Sequence, residues 1–342
     1  CRQSWLTGRF PHSIESEGFE PINVDVSTLP EQLKSIGYLN GILGKEIHHQ
    51  PKDRFFWDFI PFVTEKDSIW RSGHSRNPSM FYEYSSIFFK MAKDQNKPFF
   101  LSANSHDPHR PFIGSRQDTL TWGDNMPPVS RQYSPEEVEV MGYLPDIKDV
   151  RKEVAQYYGS VYRGDQSIGG VLDALEESGL SDNTVVIFLS DHGAAFPFSK
   201  AQCYLNSSKT PLIIRWPEKI RPGSVDSTHF VTGIDLMPTI MEIAGLPLIP
   251  KLDGQSFLPL LFDKKQRDRE YAYSTFYQIF AKKRFPMRCL QNEDFGYIYN
   301  FWSDHQTEIR GDATGGLTWR AMIKAAEKLG AACRKELANL VG

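Results

Sequence analysis

The sequence is short of cysteine, of positive charge and of long apolar runs, and each shortage excludes something. Four cysteines in 342 residues are too few for a disulfide-stapled framework, and they leave the redox compartment open. Thirty-nine basic residues against 42 acidic ones give a formal charge of −3. That argues against nucleic acid or an anionic membrane as the main partner, because both select a positive surface; a single basic cleft remains compatible with it. No apolar stretch approaches the ~20 residues of a membrane-spanning helix. Internal repeats and low-complexity tracts do not occur. The chain opens on Cys1-Arg2-Gln3-Ser4, with neither Met nor leader, as expected of a chain cut from a longer protein. Its length sets an expectation of about two domains, or one large α/β domain with an appendage.

What the sequence does have is α/β rhythm. Four short apolar runs, Leu39–Leu43, Pro98–Ala103, Val185–Leu189 and Leu212–Trp216, have the length and flanks of buried parallel strands. Between the second and third, Val150–Glu177 carries apolar residues at three- and four-residue spacing, which predicts a long helix. Gly179 ends it and Ser181-Asp182-Asn183 turns the chain into the next strand. A further helix is expected over Leu236–Ala244, stopped by Gly245. The fold class is therefore α/β, an open and mostly parallel sheet flanked by helices. Residues 114–145, rich in Pro, Asp, Ser and Trp, read as a long ordered excursion over the top of the sheet. Beyond Asp263, Lys264–Glu270 is a charged connector. Tyr271–Phe280 and Phe295–Trp302 look like antiparallel strands, and Trp319–Leu340 closes as an amphipathic helix. The expected division is 1–263 for the main α/β domain and 264–342 for a smaller α+β subdomain.

The chemistry collects where three apolar runs end. Leu39–Leu43 leads into Gly44-Lys45-Glu46-Ile47-His48-His49. Pro98–Ala103 leads into Asn104-Ser105-His106-Asp107-Pro108-His109-Arg110, and Val185–Leu189 into Ser190-Asp191-His192-Gly193. In an open α/β sheet, ligands sit outside the carboxyl ends of the strands. Parallel neighbours would bring these Lys, His and Asp residues to one rim, as cationic donors, acids and bases, or metal ligands. Each cluster alone has an ordinary structural reading. Asp191 could close a turn, His106 and His109 could be satisfied loop histidines, and Lys45-Glu46 could be a solvated ion pair. Their joint occurrence at three strand ends favours a site.

These residues also carry a resemblance. Arg2-Gln3-Ser4-Trp5-Leu6-Thr7-Gly8-Arg9 is similar to the second half of the sulfatase signature. Gly37–Lys45 followed by His48 resembles the family's second signature, departing from it at Asn40 and Leu43. Ser190-Asp191-His192-Gly193, Thr210–Pro217 and Gly233–Ile240 are sulfatase-like too. The resemblance covers essentially the whole chain and implies an alkaline-phosphatase-like fold. His106–Arg110 and Pro286-Met287-Arg288 look most like the heparan N-sulfatase branch, while Gly44–His48 and Asp191-His192 also resemble iduronate-sulfatase-like members.

The resemblance implies a sulfohydrolase acting on a sulfated sugar of glycosaminoglycan type, with N-sulfoglucosamine favoured, in an extracytoplasmic setting. Its nucleophile would be formylglycine made from a Cys or Ser. Counting back from Thr7-Gly8-Arg9 puts that residue three positions upstream of Cys1, so the chain alone is expected to be catalytically incomplete. A register with Cys1 as nucleophile sets Gln3 where Pro belongs and Trp5 where Arg belongs. The catalytic positions would be Arg2, Lys45, His48, His106 and Lys200. Arg2 would hold the formylglycine and its metal, Lys45 and Lys200 would contact sulfate, and His48 would stabilise the hydrate. His106 would act as acid toward the leaving group, work that suits an imidazole with a pKa near neutral. Asp191 and His192 would form half of a divalent-metal site, calcium by family expectation, although an imidazole suits zinc better.

Other residues have two readings each. His109, Arg110 and Arg288 could bind sugar, or serve loop packing and a structural salt bridge. Asp235 reads as a helix cap or first-turn acid. Asn206-Ser207-Ser208 is a glycosylation sequon in a secretory setting. Cys203, Cys289 and Cys333 lack metal-ligand spacing and read as structural. The rival functions are a phosphatase or phosphodiesterase on the same scaffold, disfavoured by the Arg2-to-Gly8 motif, and an inactive carbohydrate-binding fragment. Oligomeric state is not readable from the sequence.

Overall fold

The computed structural model describes residues 1–61, 74–122, 127, 129–279, 283–302 and 311–341, without side chains at 122 and 332–341. Strands β1 (Leu39–Leu43) and β2 (Phe99–Ala103) pair in parallel, Leu39 opposite Phe99 and Leu43 opposite Ala103. Parallel neighbours need a crossover, and here the connection contains the helix Pro78–Asp94, started by Pro78 and by Asn77 Oδ1 accepting from Ser79 N at 3.1 Å. This helix packs along the predicted long helix, observed over Lys148–Glu177. Gly179 follows that helix at φ 72° and Gly245 follows Leu236–Ile243 at φ 73°, the left-handed stops expected of glycine.

The α/β fold class and the C-terminal antiparallel sheet are both present, with differences in detail. Strand β3 (Val186–Leu189) pairs antiparallel with β4 (Leu212–Arg215), Val186 opposite Arg215, where parallel pairing was expected. An apolar run carries no direction, so the direction was open to tertiary context. Nor is β4 buried: Ile213 is 62% exposed, as an outermost strand allows. In the C-terminal sheet, β5 (Ala272–Gln278) and β7 (Gly296–Asn300) flank a central strand, β6 (Arg284–Gln291). Pro286 hid β6, because proline cannot donate to a ladder. The register shift between Phe276 and Gln278 falls opposite it and accommodates it. Phe280, at the end of the expected strand, and the side chain of Cys333 lie outside the described residues.

Among the described residues, three of the five apolar clusters support the layers around the site. One joins Leu6, Leu29, Leu33 and Phe55 to Met237 and Met241. A second sets Leu39, Phe88 and Phe89 against Ala174 and Leu175. In the third, the excursion contributes Val138 and Leu144 to Phe112, Val150, Val154 and Phe196. The excursion thus packs on the long helix, and it opens with a short helix of its own, Arg116–Trp122; residues 123–126 and 128 of it lie outside the described set. The charged connector is largely exposed but anchored at one residue. Arg269 is buried and its Nη1 lies 2.6 Å from Asp235 Oδ2, while Asp235 also caps Thr232 N at 2.8 Å.

Candidate active site

Arg2 lies in the first turn of the short helix Arg2–Thr7, which Gly8 stops in the left-handed conformation at φ 63°. A Cβ there would stand 2.8 Å from Leu252 Cδ2, so the Thr-Gly pair of the motif is a tight helix stop. Gln3 is buried, donating to Glu20 O at 3.1 Å and accepting from Gln50 N at 2.9 Å. This fixes the end of the helix that carries Arg2. The Arg2 guanidinium reaches the carboxyl end of β3, with Nη2 3.0 Å from Asp191 Oδ2.

At the end of β1 the chain turns through two consecutive left-handed residues, Gly44 (φ 69°) and Lys45 (φ 63°). A Cβ on Gly44 would lie 2.5 Å from Asn104 O, while Asn104 N donates to Leu43 O at 2.7 Å. The ends of β1 and β2 are therefore tied side by side. The turn buries Lys45 and Glu46, which excludes the solvated ion pair. Burial pushes the Lys45 ammonium well below the usual lysine range, and the charges of Arg2, Arg76 and Lys200 push the same way against Asp191. His48 is pushed down to about 3 by burial, then by Arg2 and Lys45. His106 is driven well down by burial, then by Lys45 and Arg76. His109 is pushed down to about 3 by burial and then by Lys200 and Lys45. Arg2, Lys45, His48, His106, His109, Asp191, His192 and Lys200 are thus linked through shared neighbours, with Arg2, Lys45 and Lys200 as the recurring charges. His49, also driven well down by burial and then by Arg2 and His48, is buried and stacked on Phe55 at 4.8 Å between centroids.

The loop holding His106 is pinned from below. His106 N donates to Ser75 O at 2.9 Å, and Ser75 Oγ lies 2.5 Å from His106 Nδ1. The next residue, Asp107, is paired with two buried arginines. Arg76 Nη1 bonds its Oδ1, and Arg163 Nε, from the long helix, lies 2.5 Å from its Oδ2. Arg76 Nη2 also donates to His109 O at 3.0 Å. Ser75, Arg76 and Arg163 escaped the sequence reading because nothing local marks a residue whose partner is 31 or 56 positions away.

The two remaining expected sugar contacts are placed otherwise. Arg110 is committed inward: Nη1 lies 2.7 Å from Glu153 Oε1, Nη2 donates to Ala195 O at 2.9 Å, and its guanidinium lies 4.3 Å from the Phe112 ring centroid. Arg288 lies exposed on β6, with its guanidinium 5.6 Å from the Phe301 ring centroid. No contact among the described residues joins it to Asp191 or Lys45. An unforeseen residue enters instead. Asp312 Oδ2 lies 2.5 Å from Lys200 Nζ and 3.5 Å from His109 Nε2.

The chain is similar to known proteins over most of its length. The sulfatase family profile matches residues 1–246. The chain belongs to the sulfatase family. A second profile, N-sulphoglucosamine sulphohydrolase, C-terminal, matches residues 192–309. N-sulphoglucosamine sulphohydrolase of Homo sapiens is 29% identical over 294 residues, covering 80% of this chain and 57% of that protein. The uncharacterized sulfatase YdeN of Escherichia coli (strain K12) is 32% identical over 320 residues, covering 78% and 53%. The chain spans about half the length of the curated relatives it matches. A solved structure in complex with D-glucosamine-2-N,6-O-disulfate superposes with a TM-score of 0.64 at 18% identity, over 98% of this chain and 86% of that one. The phosphonate monoester hydrolase from Silicibacter pomeroyi gives 0.60 at 18%, over 99% and 84%. At such identities these two show a shared fold.

For a sulfatase the expected divalent metal can be tested against the donors present. His192 Nδ1 lies 2.8 Å from Gly193 O, and its Nε2 is 3.5 Å from Asp191 Oδ2. Among the described residues no group of three or more His, Cys, Asp or Glu gathers. Calcium takes about six to eight oxygens, so one carboxylate already paired to Arg2 and one imidazole do not hold it alone. The described residues of this sulfatase do not by themselves make up a metal site.

Proposed function

We propose that this chain carries most of the active site of a sulfatase that releases sulfate from a sulfated sugar of glycosaminoglycan type, with N-sulfoglucosamine as the favoured unit. The observation that carries the reading is the burial of Lys45 among other cations, Arg2, Arg76 and Lys200. Arg2, Arg76 and Lys200 each face one carboxylate, Asp191, Asp107 and Asp312, and a sulfate beside Lys45 and Lys200 would share these cations. Lys45 and Lys200 would face the sulfate oxygens, where fixed cations oppose the charge that builds in the transition state. Arg2 would orient the nucleophile while holding Asp191 ionised. A formylglycine hydrate, from a Cys or Ser upstream of Cys1, would supply the attacking hydroxyl. His48 would take up its proton, and His106, its ring set by Ser75, would deliver one to the leaving oxygen or nitrogen. In this reading 1–263 is the catalytic domain, 264–342 a subdomain beside it, and the protein works outside the cytoplasm.

The full-length protein should be assayed on 4-nitrophenyl sulfate, 4-nitrophenyl phosphate and an N-sulfated heparin disaccharide. Sulfate release from the first and third is expected. Release of phosphate alone would overturn the reading.

A further inference from the structure

Three separate parts of the chain are bolted together beside Lys200. Glu153, on the long helix, accepts Arg110 Nη1 at 2.7 Å, Leu317 N at 2.9 Å and Thr318 N at 2.8 Å. It therefore satisfies the first amides of the C-terminal helix while holding the His106–Arg110 loop, and Arg110 in turn holds Ala195 O. This arrangement delivers the turn Asp312–Thr314 to the rim of the pocket. The Asp312 carboxylate there meets Lys200 and His109 and is still 45% exposed. A carboxylate has about four lone-pair sites, so acceptor capacity remains. Lys200 in turn has three N–H donors and can hold Asp312 and a sulfate oxygen together.

A cavity of about 190 Å³ lies against Lys200, lined by Phe198, Lys200, Tyr204, Gly311, Ala313 and Trp319, so that the two chain neighbours of Asp312 line it while the Asp312 carboxylate stands outside its wall, on Lys200. Phe198 and Tyr204 are half exposed, with ring centroids 6.3 Å apart in an edge-to-face arrangement. Aromatic walls around a few fixed polar groups are the usual make-up of a small-ligand pocket. Exposed aromatic rings in a cavity that shares Lys200 with a carboxylate suit a sugar ring, which has an apolar C–H face and a polar edge.

We propose that Asp312 and this aromatic cavity form the subsite for the sugar that bears the scissile sulfate, with Asp312 accepting a hydrogen bond from a hydroxyl or amino group of the ring. This rests on the sulfatase reading above and adds a specificity rule. A carboxylate accepts donors and repels anions, so a ring carrying a second sulfate at the position facing Asp312 is rejected.

The test compares full-length wild type with Asp312→Ala, Asp312→Asn and Phe198→Ala on N-sulfoglucosamine and on 4-nitrophenyl sulfate, which has no sugar. For each variant, kcat/KM on the sugar divided by kcat/KM on the aryl sulfate should fall about tenfold or more, the cost of a lost charged hydrogen bond or stacking face. A ratio within about twofold of wild type in both Asp312 variants overturns the subsite, because Asp312 then acts only through Lys200. Should wild type turn over neither sulfate compound, the proposed function fails by itself. The subsite is then decided by calorimetric titration with glucosamine: binding lost in Asp312→Ala supports it, and equal or absent binding overturns it.

Discussion

Arg2 Nη2 lies 3.0 Å from Asp191 Oδ2, linking the first motif to the end of β3, with the two side chains only 15% and 23% exposed. Burial alone would raise the Asp191 carboxyl. Arg2 first, then His192, Lys200 and Lys45, outweigh it and hold the group below the usual carboxylate range. The pair's stabilisation is therefore complete above an unfolded pKa of about 3.9 and is lost as pH falls below it. Arg2→Ala should cost about 2 kcal/mol in urea unfolding at neutral pH, between the limits for exposed and fully buried pairs. The gap to wild type should shrink in acid below about pH 4. A gap that stays constant with pH would show that Arg2 contributes packing and not charge.

Asp107 faces a harsher balance, because two buried guanidinia share its carboxylate. Removing the charge while keeping the shape leaves both cations uncompensated in the interior. Asp107→Asn should therefore cost about 3–5 kcal/mol, nearly as much as Asp107→Ala. It should also disturb His106, the adjacent residue. Denaturant unfolding of the two variants checks the first point: a cost below about 1 kcal/mol for Asn would mean that shape, not charge, holds the loop.

The parts of this molecule that were readable in advance are those with local causes. The long helix shows in its apolar spacing, the glycine stops at 179 and 245 in their residue type, and the three polar clusters in the apolar runs before them. What was hidden depends on distant partners. Arg76 and Arg163 gain meaning only through Asp107, and Asp312 only through Lys200 and His109. Strand β6 was obscured by Pro286, whose missing amide is absorbed by a register shift. The direction of β4 was invisible because a short apolar run reads the same in parallel and antiparallel pairs. Arg110, beside two histidines, looked available to substrate, yet Glu153, 43 positions away, takes it.

Gly44 is a further place where local geometry serves the site. Its φ of 69° and the 2.5 Å from an added Cβ to Asn104 O give two independent penalties. The left-handed conformation costs an alanine about 1–2 kcal/mol. The clash is with backbone that is itself bonded to Leu43, so relief requires separating β1 from β2. Gly44→Ala should therefore destabilise by about 3 kcal/mol in all and lower activity by displacing Lys45. Thermal unfolding and turnover of the same sample test this. A variant that loses less than about 1 kcal/mol would show that the turn can relax without moving the strands.

His106 presents the sharpest electrostatic demand. Work as a proton donor suits a pKa near neutrality, yet burial and the charges of Lys45 and Arg76 drive it well down. His48 and His109 are pushed down to about 3 by burial and by Arg2 and Lys200 respectively. A sulfate group against Lys45 and Lys200 would offset those cations and return His106 toward a protonated state. In chloride buffer, then, none of these three imidazoles should titrate between about pH 5 and 8 by NMR of the ring protons, and added sulfate should move His106 upward. The stability consequence has a definite sign. Between about 6.5 and 3 the unfolded chain binds more protons at His48 and His109 than the folded one, and His106, driven down as well, acts in the same direction. Their contribution is thus complete above about pH 6.5 and declines as the solution is acidified. Thermal midpoints should fall over that interval, and less steeply with sulfate present. Titration of His106 near pH 6.5 without sulfate would mean that the surrounding cations are screened, and the anion would then not be what prepares the acid.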